Sequence, residues 1–291
     1  MIKIIVNPSS AKGTHSWANI KERIDRAGVK YEYVMTTREK EAISLAGKIQ
    51  QEGCKDIFIA GGDGTLNEVV NGLDLGSANL GVIPAGCGND FAKMVNIRSI
   101  DDGISSMTSN SKIKVDIGVA NNKNFINNLG LGIDAYVVYL KKVTKKARGE
   151  ATYLLPALKA LLSFSCFKVE VESEEFSYRG EALSLSVGNG ACHGGMFWLT
   201  PLARIDDGLL DVCIVKKISR PKRFLHVIKA IKGTHIHLKE TVIFKTRSLS
   251  VRFEKPVLAH VDGELFENPV TGMQVSIKPA CLDFYLPKKD S

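Results

Sequence analysis

An α/β layer built on a parallel sheet, followed by a mainly antiparallel β-sandwich, is the fold class this sequence predicts. Up to residue 120, continuous apolar runs alternate with helix-period segments, as they do where crossover helices join parallel strands. Beyond it, short alternating runs recur between turn signals, as they do in antiparallel sheets. The chain is therefore expected to divide into domains 1–120 and 121–291, each long enough for its own core.

Element by element, the first domain is regular. "KIIVNP" is apolar throughout, which suits a strand buried on both faces, and "SWANIKERIDRAG" follows as a helix closed by Gly28. "YEYVMTT" is the second strand and "KEAISLAGKIQQEG" a helix ending at Gly53. "DIFIAGG" runs into the helix "LNEVVNGL", and "LGVIPAG" into the helical start "NDFAKMV". The strand ends near Asn7, Gly61 and Gly86 are small or polar, and ligands of open α/β sheets sit beyond such carboxyl ends. In the second domain "FKVEVES", "ALSLSVGNG", "LLDVCIVKKI", "ETVIFKTRSLSVRFE", "PVLAHVDGE" and "GMQVSIKP" are the expected strands. Helical patterns interrupt them at about 139–165 and 220–233.

Composition narrows the class. Hydrophobic content of 44% beside charged content of 24% belongs to a soluble globular chain. No signal-peptide pattern precedes the first strand. "YLLPALKALLSFSCF" is too short, and too broken by Pro156 and Lys159, to span a bilayer, so a buried or interfacial helix is expected there. The six cysteines form no CxxC pair, which argues against structural zinc or a disulfide framework and for a reducing cytoplasm. A net charge of +8 suits an anionic partner (nucleic acid, an acidic membrane or a phosphorylated ligand) without choosing among them.

The turns carry the chemistry. In "GGDGT", Gly61 and Gly62 let backbone approach a ligand closely, and the helix beginning at Thr65 points N–H groups at an anion. Asp63 is the odd member, because a carboxylate repels phosphate. It is either a helix cap or a group that orients the acceptor or meets magnesium, and for this turn alone the two readings stand level. No GxGxxG or GxxxxGK[ST] is present, which disfavours ordinary dinucleotide and P-loop binding. "NPSSAKG" offers Asn7, Ser9, Ser10 and Lys12 to phosphate oxygens, though alone it is a polar loop. "PAGCGNDFAK" relaxes a third turn with Gly86 and Gly88 and sets Asp90 at a helix start, where a cap is the ordinary explanation. Three such turns at successive strand ends hold more glycine than capping requires, so bound polyphosphate is the better account. Farther on, "ARIDDGLLDV" and "HVDGELF" are Asp-Gly turns. Asp206 and Asp207 in the first could hold a hard cation, and Glu264 in the second could serve as a general base.

Taken together, "NPSSAKG", "GGDGTLNEVVNGL", "PAGCGNDFAK", "NNLGLGIDA", "VGNGACHGGMFWLTPLARIDDGLLDV" and "VDGE", in that order, resemble the diacylglycerol kinase catalytic family, and within it the soluble bacterial lipid kinases. The resemblance runs from Asn7 to the strand near Tyr285. "GGDGT" by itself is also similar to the loop of NAD kinases, but the ordered set is specific. It implies an NAD kinase-like α/β domain, a β-sandwich, and an active site in the interdomain cleft. It also implies an ATP-dependent kinase phosphorylating a lipid hydroxyl, with diacylglycerol becoming phosphatidic acid. Asn7, Pro8, Ser9, Ser10, Ala11 and Thr36 would border ATP, as would Gly61, Gly62, Asp63, Gly64, Thr65, Leu66, Asn67 and Cys87. Glu264 would be the general base, and Asp63 and Asp90 catalytic or magnesium-linked carboxylates. Asp207, with the main-chain carbonyls of Arg204 and Leu209, would form a structural magnesium site. Two positions depart from the family pattern. Cys87 stands where Ser or Thr is usual, and His193 where Tyr is common.

The basic stretches Lys141 to Glu150 and Lys216 to Arg223 are ordinarily solvated faces, but in a lipid kinase they suit the anionic inner face of a membrane. "FLHVIKAIKG" would be a partly amphipathic surface helix beside them. The expected partners are thus a lipid alcohol, an anionic membrane and a second copy in a homodimer. Nucleic acid is not expected, since aromatics are not interleaved with the basic runs. The alternatives are an NAD kinase-like enzyme with a soluble acceptor, or a non-catalytic nucleotide-binding protein of the same fold. The absence of a second Asn-Glu motif weighs against the first, and the retained Asp63, Asp90, Asp207 and Glu264 against the second.

Overall fold

A computed structural model describes residues 1–10, 16–144 and 151–288. They form two compact units, Met1–Ile117 with Pro279–Ser291, and Gly118–Lys278.

In the first unit the chain runs β1 (Ile2–Val6), α1 (Trp17–Arg26), β2 (Tyr31–Met35), α2 (Glu41–Gln51), β3 (Asp56–Gly61), α3 (Asp63–Gly72), β4 (Asn79–Pro84), α4 (Asp90–Met94) and α5 (Ile100–Met107). Strands β2, β1, β3 and β4 lie side by side, all parallel. Parallel pairing buries both faces of a strand, and the central runs Ile4–Val6 and Ile57–Ala60 are fully buried, as continuous apolar strands should be. Helix α1 lays Trp17, Ile20 and Ile24 on the sheet, and α5 adds Ile100, Ile104 and Met107 to the same core. Helix α5 is absent from the sequence expectation because "SIDDGISSM" is short and polar. It stands through a capping box in which Ser99 and Asp102 satisfy each other's backbone N–H groups.

Two strands carry the chain between units: β5 (Lys112–Ala120) and the last strand, β15 (Val270–Tyr285). The end of β15 pairs in parallel with β4, Asp283 opposite Asn79, so residues 279–291 belong to the first unit.

The second unit holds β6 (Lys123–Phe125), β7 (Asn128–Gly132), α6 (Ile133–Thr144), α7 (Ala151–Ser163), β8 (Phe167–Ser173), β9 (Ser177–Gly188), β10 (Leu210–Lys216) and α8 (Arg220–Ile231). After them come β11 (Thr241–Thr246), β12 (Ser248–Val257), β13 (Ala259–Val261), β14 (Glu264–Leu265) and most of β15. Strand pairing here is antiparallel, and the expected β-sandwich class holds. Twelve-residue β9 organises it: its first half pairs with β8 and its second with β7, while β10 runs along its other edge. Inward residues such as Leu129, Leu131, Val171, Leu185, Val187 and Ile214 form one core. The run expected as one strand at 240–254 is two, β11 and β12, broken at Arg247 where the chain leaves β10 for β8 and β15. The segment expected as a buried or interfacial helix is α7. Buried Arg223 of α8 donates to the carbonyls of Leu161 and Phe164 at 2.9 and 2.8 Å, capping the C-terminal end of α7.

Candidate active site

Four adjacent parallel strands bring four loops to one edge of the first unit. Asn7 follows β1, Thr36 follows β2, Gly62 follows β3 and Ala85 follows β4. Asn7 ties two of these loops together. Its amide Nδ2 donates to the Thr65 hydroxyl at 2.9 Å, its Oδ1 accepts the Ser9 N–H at 3.0 Å, and its backbone N–H reaches Ala60 O at 3.0 Å. Thr36 is buried, with its N–H on Val6 O at 2.9 Å. Pro8, Ser9 and Ser10 form a turn, while Ala11 and Lys12 lie outside the described residues.

The glycine turns after β3 and β4 lie back to back. A methyl group on Gly86 would stand 2.5 Å from the Cα of Gly62, so Gly86 has no room for a side chain, and one on Gly62 would press on the Cα of Gly86 at 3.0 Å. Asn89 closes the second turn, accepting the Gly86 N–H at 3.0 Å and donating to its carbonyl at 2.8 Å. Its φ of 51° is left-handed, which asparagine tolerates better than most residues.

Asp63 turns out to serve the neighbouring helix. Its two carboxylate oxygens accept the backbone N–H groups of Asp90 and Phe91, each at 3.0 Å. A carboxylate on the first turn of α4 satisfies donors that have no partner inside the helix and complements its dipole. The awkward aspartate of "GGDGT" therefore locks that turn to "PAGCGND". At the start of α3, the first-turn N–H groups likewise lack acceptors within the helix, an arrangement that receives anions. Thr65, Leu66 and Asn67 are buried, Gly64 and Cys87 are exposed, and Asp90 is buried with Lys93 3.6 Å away.

In the second unit, Glu264 begins β14, half-buried, one turn after β13. Asp262 and Gly263 have φ of 47° and 82°, the left-handed pair that a two-residue hairpin demands. Asp262 also does more than turn the chain. Its carboxylate accepts the N–H groups of Ile126, Asn127 and Asn128 at 2.7, 2.9 and 2.7 Å, pinning the hairpin to the start of β7. Strand β13 pairs with β7, so the "VDGE" and "NNLGLG" motifs are one assembly. Below the hairpin, His260 accepts the Gly263 N–H on Nδ1 at 3.2 Å, which leaves Nε2 to carry the proton toward Asp134 Oδ2 at 3.3 Å. Burial opposes the charge of Asp134, but His260 and then His193 outweigh it and hold the carboxyl below its ordinary range. This pair crosses the face of Gly130, where a β-carbon would stand 2.2 Å from Asp134 Oδ2. His193 itself is buried, with Nε2 3.3 Å from the Thr200 hydroxyl.

At "ARIDDGLLDV" the oxygens are already engaged. Asp207 Oδ1 accepts the Leu209 N–H at 3.1 Å, and Oδ2 accepts from Lys245 Nζ at 2.7 Å. The same ammonium lies 3.1 Å from Asp211 Oδ2, and Asp206 pairs instead with Arg204 at 3.2 Å. Burial disfavours the charge of Lys245, yet its hydrogen bonds to Asp207 and Asp211 outweigh that and raise its pKa. Among the described residues no group of three or more His, Cys, Asp and Glu side chains could hold a metal ion. With an ammonium on Asp207, the donor set formed with the carbonyls of Arg204 and Leu209 does not fit a divalent ion.

Among the described residues that the sequence singles out, Asn7 to Ser10, Thr36, Gly61 to Asn67, Cys87 and Asp90 lie at the carboxyl ends of the parallel strands of the first unit. Glu264 and the Asp207 turn belong to the second unit. No site role for Asp134, His260 or Lys245 is legible in the sequence, and Asp262 reads there only as a turn residue. Asp134 and His260 were visible inside quoted motifs, but their pairing depends on the β13–β7 register, for which the sequence carries no local signal.

Comparison with known proteins agrees with this architecture. The family described as the diacylglycerol kinase catalytic domain matches residues 1–120, and the YegS C-terminal NAD kinase beta sandwich-like domain matches residues 127–286. A diacylglycerol kinase of Staphylococcus haemolyticus is 30% identical over 268 residues, which cover 90% of this chain and 81% of that one. One of Bacillus subtilis is 29% identical, over 90% and 89% of the two chains. A solved structure from Bacillus anthracis with a provisional diacylglycerol kinase name superposes with a TM-score of 0.81 at 22% identity, over 98% of this chain and 96% of its own.

Proposed function

The chain belongs to the diacylglycerol kinase catalytic family, and on that footing we propose that it transfers the γ-phosphate of ATP to the hydroxyl of diacylglycerol, giving phosphatidic acid. The observation that carries the nucleotide half is the locking of two glycine turns by Asp63 at the carboxyl ends of parallel strands. In this reading the turns after β1, β3 and β4, with Thr36 and Cys87, cradle the nucleotide, and the α3 N-terminus receives phosphate oxygens. Asp63 is a positioning residue that keeps the turns in register, and Asp90 is the carboxylate assigned to the phosphate side. Magnesium, bound with the nucleotide, would supply neutralisation of charge on the phosphate oxygens.

The second unit supplies the acceptor chemistry. Glu264 accepts the proton of the lipid hydroxyl while that oxygen bonds to the γ-phosphorus and the bond to ADP breaks. Asp262, the His260–Asp134 pair and Gly130 fix the hairpin that carries it. Phosphoryl transfer depends mainly on such positioning and on charge. The discriminating experiment is a labelled-ATP screen in mixed micelles against diacylglycerol, a sphingoid base, a polyprenol and NAD. Label entering diacylglycerol supports the reading, and label confined to NAD refutes it.

We further assign the surface of α7 and α8 to an anionic membrane. Leu162 and Ile228 are each 56% exposed, with Leu158, Phe224 and Leu225 also at the surface. Lys159, Lys222 and Lys229 lie on the same two helices. Apolar side chains flanked by cations suit reversible interfacial binding. In the basic stretch Lys141 to Glu150, residues 145–150 lie outside the described residues. Among the described residues no helix is long and apolar enough to cross a membrane. Sedimentation with phosphatidylglycerol vesicles should be strong at low salt and fall for a Leu225→Ser, Ile228→Ser variant. Binding indifferent to both salt and these residues would remove the assignment.

A further inference from the structure

Lys245 holds a cation in a place where a lipid kinase of this kind is expected to hold a metal. Its position follows from strand register: Lys245 on β11 stands directly opposite Asp211 on β10. Gly208, with φ of 71°, turns the chain just before β10 and brings Asp207 to the same ammonium. Three oxygens therefore surround Nζ, at 2.7 Å from Asp207, 3.1 Å from Asp211 and 3.4 Å from the carbonyl of Leu202. The lysine side chain is 34% exposed and the two carboxylates 21% and 11%, so the carboxylates are largely withdrawn from water and the lysine partly so.

Two carboxylates this close need a positive charge between them, since burial and mutual repulsion both work against ionisation. A hard divalent ion would meet the demand with carboxylate and carbonyl oxygens. An ammonium meets it with three N–H donors and a single charge.

We propose that the ε-ammonium of Lys245 is the resident cation of the Asp207 turn and takes the place of a structural divalent ion in this chain. The turn is then propped without metal, and its order does not depend on the magnesium that accompanies nucleotide. The inference concerns only the second unit and is measured without nucleotide or lipid, so its failure leaves the kinase reading untouched.

The test compares wild type with Lys245→Met, which keeps the length of the side chain and removes the charge. In the absence of nucleotide, wild type should show no bound Mn2+ by electron paramagnetic resonance. Its melting temperature should be the same in chelator as in excess magnesium. Lys245→Met should melt about 3–8 °C lower in chelator. It should also gain one Mn2+ site, lost again when Asp207→Asn is added. Lys245→Arg, which retains the charge, should stay metal-free, and it keeps the question decidable if the methionine variant does not fold. Two results would overturn the proposal. One is a Mn2+ site in wild type that Asp207→Asn abolishes. The other is a Lys245→Met protein that melts with wild type and binds no ion.

Discussion

Glu264→Gln is expected to lower kcat by about 100- to 10,000-fold, the range that a positioned general base contributes. Glutamine matches glutamate in shape and hydrogen-bonding reach but does not accept the hydroxyl proton at neutral pH. Because Glu264 sits half-buried in a two-residue strand held from outside by Asp262 and His260, the substitution should leave the hairpin in place. Nucleotide affinity and the melting temperature should therefore match wild type while turnover collapses. The loss should not be recovered by raising lipid concentration, since an interaction made only in the transition state lowers kcat rather than raising KM. Full turnover in this variant would remove Glu264 from the mechanism.

Asp262→Ala has the largest expected effect on stability. It strips the acceptor from the N–H groups of Ile126, Asn127 and Asn128, all three on buried residues. Hydrogen bonds to a charged partner contribute about 1.5–3 kcal/mol each, and orphaned buried donors add their desolvation cost. Three bonds sharing one carboxylate are not additive, and roughly 3–5 kcal/mol is a fair total. In a unit of this size that lowers the melting temperature by roughly 10 °C. Asp262→Asn keeps one acceptor oxygen and should fall between. Activity should fall as well, because Glu264 loses its anchor two residues away. Melting within a degree of wild type would show that the three bonds are dispensable.

The same residue shows where sequence reasoning stopped. "VDGE" announced a hairpin, because only a few residue pairs adopt the left-handed turn found at Asp262 and Gly263. That the aspartate also binds three backbone donors depends on where β7 lies, and contacts between residues over 130 positions apart leave no local trace. Strand and helix types were legible in the first unit because buried parallel strands are apolar throughout and their helices amphipathic. Helix α5 escaped because its stability comes from a capping box and three buried apolar residues in a short polar segment. "GGDGT" left two readings of Asp63, and the structure gives a third partner set, the N–H groups of a neighbouring helix. Lys245 was out of reach for the same reason as Asp262. Its meaning depends on facing Asp211 across a strand pair.

We propose transfer of the γ-phosphate of ATP onto a lipid hydroxyl. Its most direct measurement follows phosphorus itself, by 31P spectroscopy of the purified protein with magnesium, ATP and diacylglycerol in mixed micelles. A phosphatidic acid monoester signal growing one for one with ADP is the predicted result. ATP that stays intact, or is consumed without any lipid phosphate appearing, would contradict it.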